Sequence, residues 1–87
     1  MITYTIRALP GRYPTTANRI YYHVFTPHDR DSSTANRETL NDAVRWAKAH
    51  AFDAGVPRSE FRLHVVGNIS PGKRSTFAEP GITFHPN

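Results

Sequence analysis

The stretch Thr39-Leu40-Asn41-Asp42-Ala43-Val44-Arg45-Trp46-Ala47-Lys48-Ala49-His50-Ala51-Phe52-Asp53-Ala54-Gly55 decides the fold class. Leu40, Ala43, Val44, Ala47, Ala51 and Ala54 recur at the spacing of a single helical face. Thr39 is placed to accept from the third helical N–H, with Asp42 reaching back in the manner of a capping box. Gly55 supplies a left-handed stop and Pro57 forbids continuation. A helix is therefore expected over about residues 39–54. Its apolar stripe is mostly alanine, so it can lie close against a sheet. Trp46 falls at the edge of the stripe, and Phe52 is expected to tuck under a loop on the polar side.

Working outward, the flanking segments change period from 3.6 to 2. Ile2-Thr3-Tyr4-Thr5-Ile6-Arg7 alternates strictly, with Ile2, Tyr4 and Ile6 on one face, until Pro10-Gly11 breaks it. Residues 19–26 read as a second strand, with Ile20, Tyr22 and Val24 opposite Tyr21, His23 and Phe25. Residues 28–37 are polar and read as an exposed loop. Beyond the helix, Phe61, Leu63 and Val65 alternate with Arg62, His64 and Val66, and Ile82 and Phe84 alternate with Thr83 and His85. Ser70-Pro71-Gly72-Lys73 reads as a turn, taken as a hairpin tip, and Ser75-Thr76-Phe77 as extended. The expected architecture is one α+β domain over residues 1–87. It has the order ββαββ, with an antiparallel sheet of about four strands on one helix.

Composition narrows the function classes. At 87 residues the chain has room for one small core,. It has no cysteine, which excludes a disulfide framework, thiolate chemistry and Cys-containing zinc sites,. No apolar run approaches the roughly 20 residues needed to span a bilayer. Met1-Ile2-Thr3-Tyr4 lacks the basic, then apolar, start of a signal peptide, so the cytoplasm is the expected location. The net charge is +4, and it is segregated. Residues 1–28 carry Arg7, Arg12 and Arg19 with no acid. Residues 29–60 are nearly balanced, and residues 61–87 carry Arg62, Lys73 and Arg74 against Glu79 alone. A basic surface attracts nucleic acid or acidic protein partners.

If the helix covers one sheet face, strand parity assigns the other. It carries Thr3, Thr5 and Arg7; Arg19, Tyr21, His23 and Phe25; Arg62, His64 and Val66; and Thr83 and His85. Bases stack on aromatic rings while cations track the backbone on surfaces of this kind. The candidate binding residues are thus Arg7, Arg19, Tyr21, His23, Phe25, Arg62 and His64, with Lys73 and Arg74 at the rim. Outward Thr, Tyr, His and Arg are also ordinary on a half-exposed sheet, without any ligand. The loop Pro10-Gly11-Arg12-Tyr13-Pro14 is a further, semi-rigid candidate.

Catalytic motifs are missing. The five His form no HxH, HxxxH or HExxH pattern, so no metal site or cofactor is expected,. There is no nucleophile elbow, dinucleotide fingerprint or complete phosphate loop. The leading expectation is a small non-enzymatic binding module for nucleic acid or a nucleoprotein assembly. A second is a protein-docking inhibitor or adaptor. In size, compactness and lack of catalytic motifs the whole chain resembles small phage-encoded accessory proteins, including inhibitors of host defence complexes of the anti-CRISPR type. That resemblance implies a partner surface but assigns no residues. A third is a small metal-independent ribonuclease using His23, His64 or His85 as acid and base. An outer strand at residues 81–85 offers free backbone groups for pairing with a second copy.

Overall fold

The structure, a computed structural model, describes residues 1–15 and 17–86. Five strands and two helices follow one another as β1 (Ile2–Pro10), β2 (Ile20–Phe25), β3 (Ala35–Arg37), α1 (Leu40–Asp53), β4 (Phe61–Val66), α2 (Pro71–Thr76) and β5 (Ile82–His85). The sheet order is β3-β2-β1-β4-β5. The α+β class, the main helix and the approximate ββαββ order match the sequence expectation.

The helix forms for the reasons legible in its sequence. Thr39 Oγ1 accepts from the Asp42 N–H at 3.1 Å,. The return half of the box does not form among the described residues, consistent with an aspartate one methylene shorter than glutamate. At the other end Gly55 has φ +83°. Its N–H donates to the Phe52 carbonyl and that of Val56 to the Ala51 carbonyl, the paired bonds of a Schellman stop. Leu40, Ala43, Val44, Ala47 and Ala51 are buried, while Ala54 lies exposed at the cap. Phe52 is not under a loop: it is more than a third exposed, edges Phe61 and is covered by the Arg58 guanidinium at 5.6 Å.

Two expectations about the sheet change. It has five strands rather than about four, and it is mixed rather than antiparallel. β1 pairs antiparallel with β2 but parallel with β4, and β4 pairs parallel with β5. The causes are two crossovers. α1 carries the chain from β3 across the sheet to set β4 parallel to β1. The connection at residues 67–81 is likewise a crossover, not a hairpin tip, and sets β5 parallel to β4. Ser70 Oγ accepts from the Lys73 N–H at 3.3 Å and Pro71 opens a short helix, so residues 71–76 are α2 rather than a turn or an extended run,. Phe77 at its end packs against the core. The other missed strand, β3, lies inside the stretch expected to be loop and pairs antiparallel with β2. β1 also runs past the expected break to Pro10. Gly11 donates toward β2, so the adjacent Pro10 nitrogen faces the side that β4 has already left,.

The core lies between α1 and one sheet face. Ile6, Val24, Leu63 and Val65 have no exposure, flanked by Tyr4, Tyr22 and Phe61. Tyr4 is tied to the helix by a 2.6 Å hydrogen bond between its hydroxyl and His50 Nδ1. Trp46 stacks on the same imidazole at 5.0 Å. Burial pushes the Tyr4 hydroxyl above its ordinary pKa,. Among the described residues, no helix is long and apolar enough to cross a membrane. β3 and β5 are the outer strands, and Pro86 removes one donor just beyond the edge considered for self-pairing.

Candidate functional site

Every strand alternates between the helix-covered face and a second face that neither helix covers. On β1 the covered positions Tyr4, Ile6 and Ala8 are buried, whereas Thr3 and Thr5 are half-buried and Arg7 is exposed. The same parity leaves Tyr21, His23 and Phe25 half-buried on β2, Arg62 half-buried and His64 exposed on β4, and Thr83 and His85 exposed on β5. The faces assigned from sequence therefore hold across these strands.

The register brings particular side chains into rows. Arg7 lies between His23 on β2 and Val66 on β4, and His85 follows Val66. Thr5 lies between Phe25 and His64, with Thr83 beyond. Diagonal neighbours on a sheet face are within reach of long and aromatic side chains. Accordingly the Arg7 guanidinium sits 6.0 Å from the Phe25 ring centre, and the His64 and His85 rings are 5.0 Å apart. His85 Nε2 is also hydrogen-bonded to Thr83 Oγ1 at 3.1 Å. His23 is separated from this imidazole pair by β1, so the three histidines do not converge. Among the described residues no group of three His, Asp or Glu meets at a geometry that holds a metal ion.

Phe25 is a ridge between two hollows on this face. One, of about 340 Å³, is lined by Thr3, Thr5, Arg7, Phe25, Thr26, Arg30 and His64. The other, of about 490 Å³, is lined by Leu9, Pro10, Arg12, His23 and Phe25 with Asp31, Ser32 and Ser33. Their shared outer wall is the loop from Thr26 to Thr34. It is anchored by Thr34 N–H to the Val24 carbonyl at 2.8 Å and turned by Ser32 N–H to the Asp29 carboxylate at 3.0 Å,.

No family model matches the chain, and comparison with curated proteins and with solved structures finds no significant match.

The candidate residues do not all share the open face. Arg7, Tyr21, His23, Phe25 and His64 do. Arg62 is on the face, but its guanidinium is spent on the Phe61 and Ser59 carbonyls at 2.8 and 3.1 Å. Arg19 lies just outside β2, where its carbonyl accepts from Gly11 N–H. Lys73 is not a rim residue. The β4–β5 crossover passes over the helix side, so its ammonium lies 3.4 Å from the Tyr22 hydroxyl, on the covered face. Arg74 donates to the Ile69 carbonyl at 3.0 Å, at the end of the sheet. Two residues of the hollow were missed, Thr26 and Arg30. Strand periodicity says nothing about a loop; the only available signal was the Asp29-to-Ser32 spacing of an Asx-type turn. Of the proline-framed loop, Arg12 reaches the second hollow and Tyr13 is largely exposed.

Proposed function

We propose that the chain is a small non-enzymatic module that binds nucleic acid, as a single strand, on the open face of its sheet. The observation that supports this is the composition of that face. Arg7, His23, His64, His85, Tyr21 and Phe25 occupy adjoining rows, and no strand position on the face carries a carboxylate. Half-buried rings offer stacking surfaces that any base can use, and arginines follow the backbone. Duplex DNA is read by elements that enter a groove; a flat sheet face crossed by two shallow hollows suits unpaired bases better.

The test is fluorescence anisotropy of labelled single-stranded RNA, single-stranded DNA and duplex oligonucleotides across a salt series. Three neutralised phosphates give a log–log slope of about −2, an affinity loss of about 20-fold between 50 and 200 mM salt. Single strands are expected to bind more tightly than duplex, and Arg7→Ala to flatten the slope. Absence of binding at low salt, or binding without a salt slope, overturns the proposal. It would favour the protein-docking reading, in which the same face covers an acidic partner surface.

A further inference from the structure

We infer that the smaller hollow on the open face is a seat for a single phosphate group, belonging to a nucleic-acid backbone. The inference rests on the proposed function for the source of the phosphate, and on the geometry for its chemistry.

Three separate segments build the hollow: Thr3, Thr5 and Arg7 from β1, His64 from β4, and Phe25, Thr26 and Arg30 from the end of β2 and the loop after it. Among the described residues, neither guanidinium has a carboxylate within ion-pair distance, since the single salt bridge joins Lys48 to Glu79. Among the described residues, Arg30 and the hydroxyls of Thr3, Thr5 and Thr26 make no side-chain hydrogen bond, and Arg7 is engaged only by the Phe25 ring. Thr26 is the one buried polar residue among those described, and since no buried side-chain oxygen or nitrogen there lacks a partner, its unbonded hydroxyl is open to the solvent of the hollow. The hollow thus presents unspent donors, and it contains no carboxylate.

The loop sequence Asp29-Arg30-Asp31 would neutralise its own arginine if all three side chains met. The fold separates them. The Asp29 carboxylate is held by the Ser32 N–H, Asp31 lines the hollow beyond Phe25, and Arg30 alone lines the phosphate seat. A divalent cation finds no anionic ligand here, and a small apolar ligand finds only Phe25. Guanidiniums recognise both carboxylate and phosphate. Donors arriving from three sides exceed what the two oxygens of a planar carboxylate use, and match a tetrahedral phosphate. The adjoining Phe25 ring supplies a place for a neighbouring base.

The test is a titration of the full chain, isotope-labelled for amide and arginine Nε–H NMR signals, with inorganic phosphate, acetate and chloride at matched ionic strength. Saturable shifts at Thr5, Thr26, Arg7 and Arg30 are expected with phosphate, weaker ones with acetate and none with chloride. Arg30→Ala, in an exposed loop, is expected to keep the folded spectrum and weaken phosphate binding about tenfold. It should also weaken oligonucleotide binding and lower the salt slope by about one. Shifts that chloride or acetate reproduces overturn the inference. So does an oligonucleotide affinity and slope unchanged in Arg30→Ala, which would leave the nucleic-acid reading standing. Phosphate bound at these residues by a protein that binds no oligonucleotide upholds the seat and removes nucleic acid as its source.

Discussion

Replacing Gly67 by alanine tests how β4 is joined to the crossover that sets β5 parallel to it. Gly67 has φ +130°, a conformation L side chains rarely adopt,. A Cβ there would lie 2.9 Å from Ala8 Cβ and 3.1 Å from the Ala8 carbonyl oxygen. Those atoms belong to the central strand, and the Gly67 N–H is already committed to the His85 carbonyl at 2.9 Å, so neither side can yield cheaply. The backbone strain costs about 1–3 kcal/mol and the overpacking about 1–3 kcal/mol. Together they take about 2–6 kcal/mol from a domain whose whole stability, at about 0.05–0.15 kcal/mol per residue, is of similar size. The melting temperature should fall by at least about 8 °C, at about 4–8 °C per kcal/mol for a domain this small. Thermal melts by circular dichroism, with urea unfolding followed through Trp46 fluorescence, give the measurement. Two further variants separate the causes. Ala8→Gly with Gly67→Ala removes the Cβ–Cβ approach but keeps the unfavourable φ, and should recover part of the loss beyond additivity. Gly72→Ala meets nothing within 4 Å at an ordinary φ and should stabilise by about 0.5–1 kcal/mol. A Gly67→Ala melt within 3 °C of the parent (under about 1 kcal/mol) would refute the close approach of the two strands at this point.

Tyr4→Phe should alter the alkaline limb of stability. Because burial raises the Tyr4 pKa above 10.0, the unfolded chain releases that proton first. The advantage of the neutral hydroxyl is intact below about pH 10 and declines as pH rises toward the raised value. Urea midpoints between pH 7 and 11 should therefore fall less steeply in the variant, after a loss at pH 7 of about 0.5–1.5 kcal/mol for the bond to His50; parallel limbs would show that Tyr4 does not cause the slope. Phe25→Ala should weaken single-strand binding by roughly 5- to 150-fold, the equivalent of about 1–3 kcal/mol for one stacked base, with Phe25→Tyr near the parent; equal affinities in anisotropy would exclude stacking at this ring. Lys73→Ala should leave affinity and salt slope within twofold of the parent, because its ammonium faces Tyr22; a slope loss equal to that of Arg7→Ala would put Lys73 on the binding face.

Local periodicity carried most of what was legible. The helix announced both ends, through Thr39 and through Gly55 with Pro57, and each principal strand showed its two faces by alternation. Pairing direction is a non-local property and did not follow from alternation. Its signals were indirect: residues 67–81 are long for a hairpin, and Ser70-Pro71 is the N-cap and first-turn pair of a helix. Missing them made β5 antiparallel to β4 and moved Lys73 to the wrong side, a topological error with a functional consequence. The parallel β1–β4 pair, made by the crossover through α1, was a second one. β3 gave no apolar pattern because Ala35-Asn36-Arg37 is recruited by backbone pairing to β2. Parity placed Arg7, Tyr21, His23, Phe25 and His64 together. Arg30 lay outside its reach, since the turn from Asp29 to Ser32, and not any strand, directs that side chain.

The mixed topology also bears on how the open face would exchange its unbound contacts for a ligand. Both helical connections cross the same side of the sheet. Among the described residues the loop from Thr26 to Thr34 and Arg12 of the loop after β1 border the other side, and the half-buried Phe25 ring is left to be shielded by Arg7 at 6.0 Å. An exposed cation–π contact of this kind is worth about 0.5–1 kcal/mol. A base stacked on the ring contributes about 1–3 kcal/mol, and the released guanidinium can then bond a phosphate oxygen, a charge-assisted bond worth about 1.5–3 kcal/mol. The exchange is favourable at both ends. Arg7 is thus suited to two successive roles, a cover for Phe25 in the free protein and a phosphate clamp once a base has taken its place.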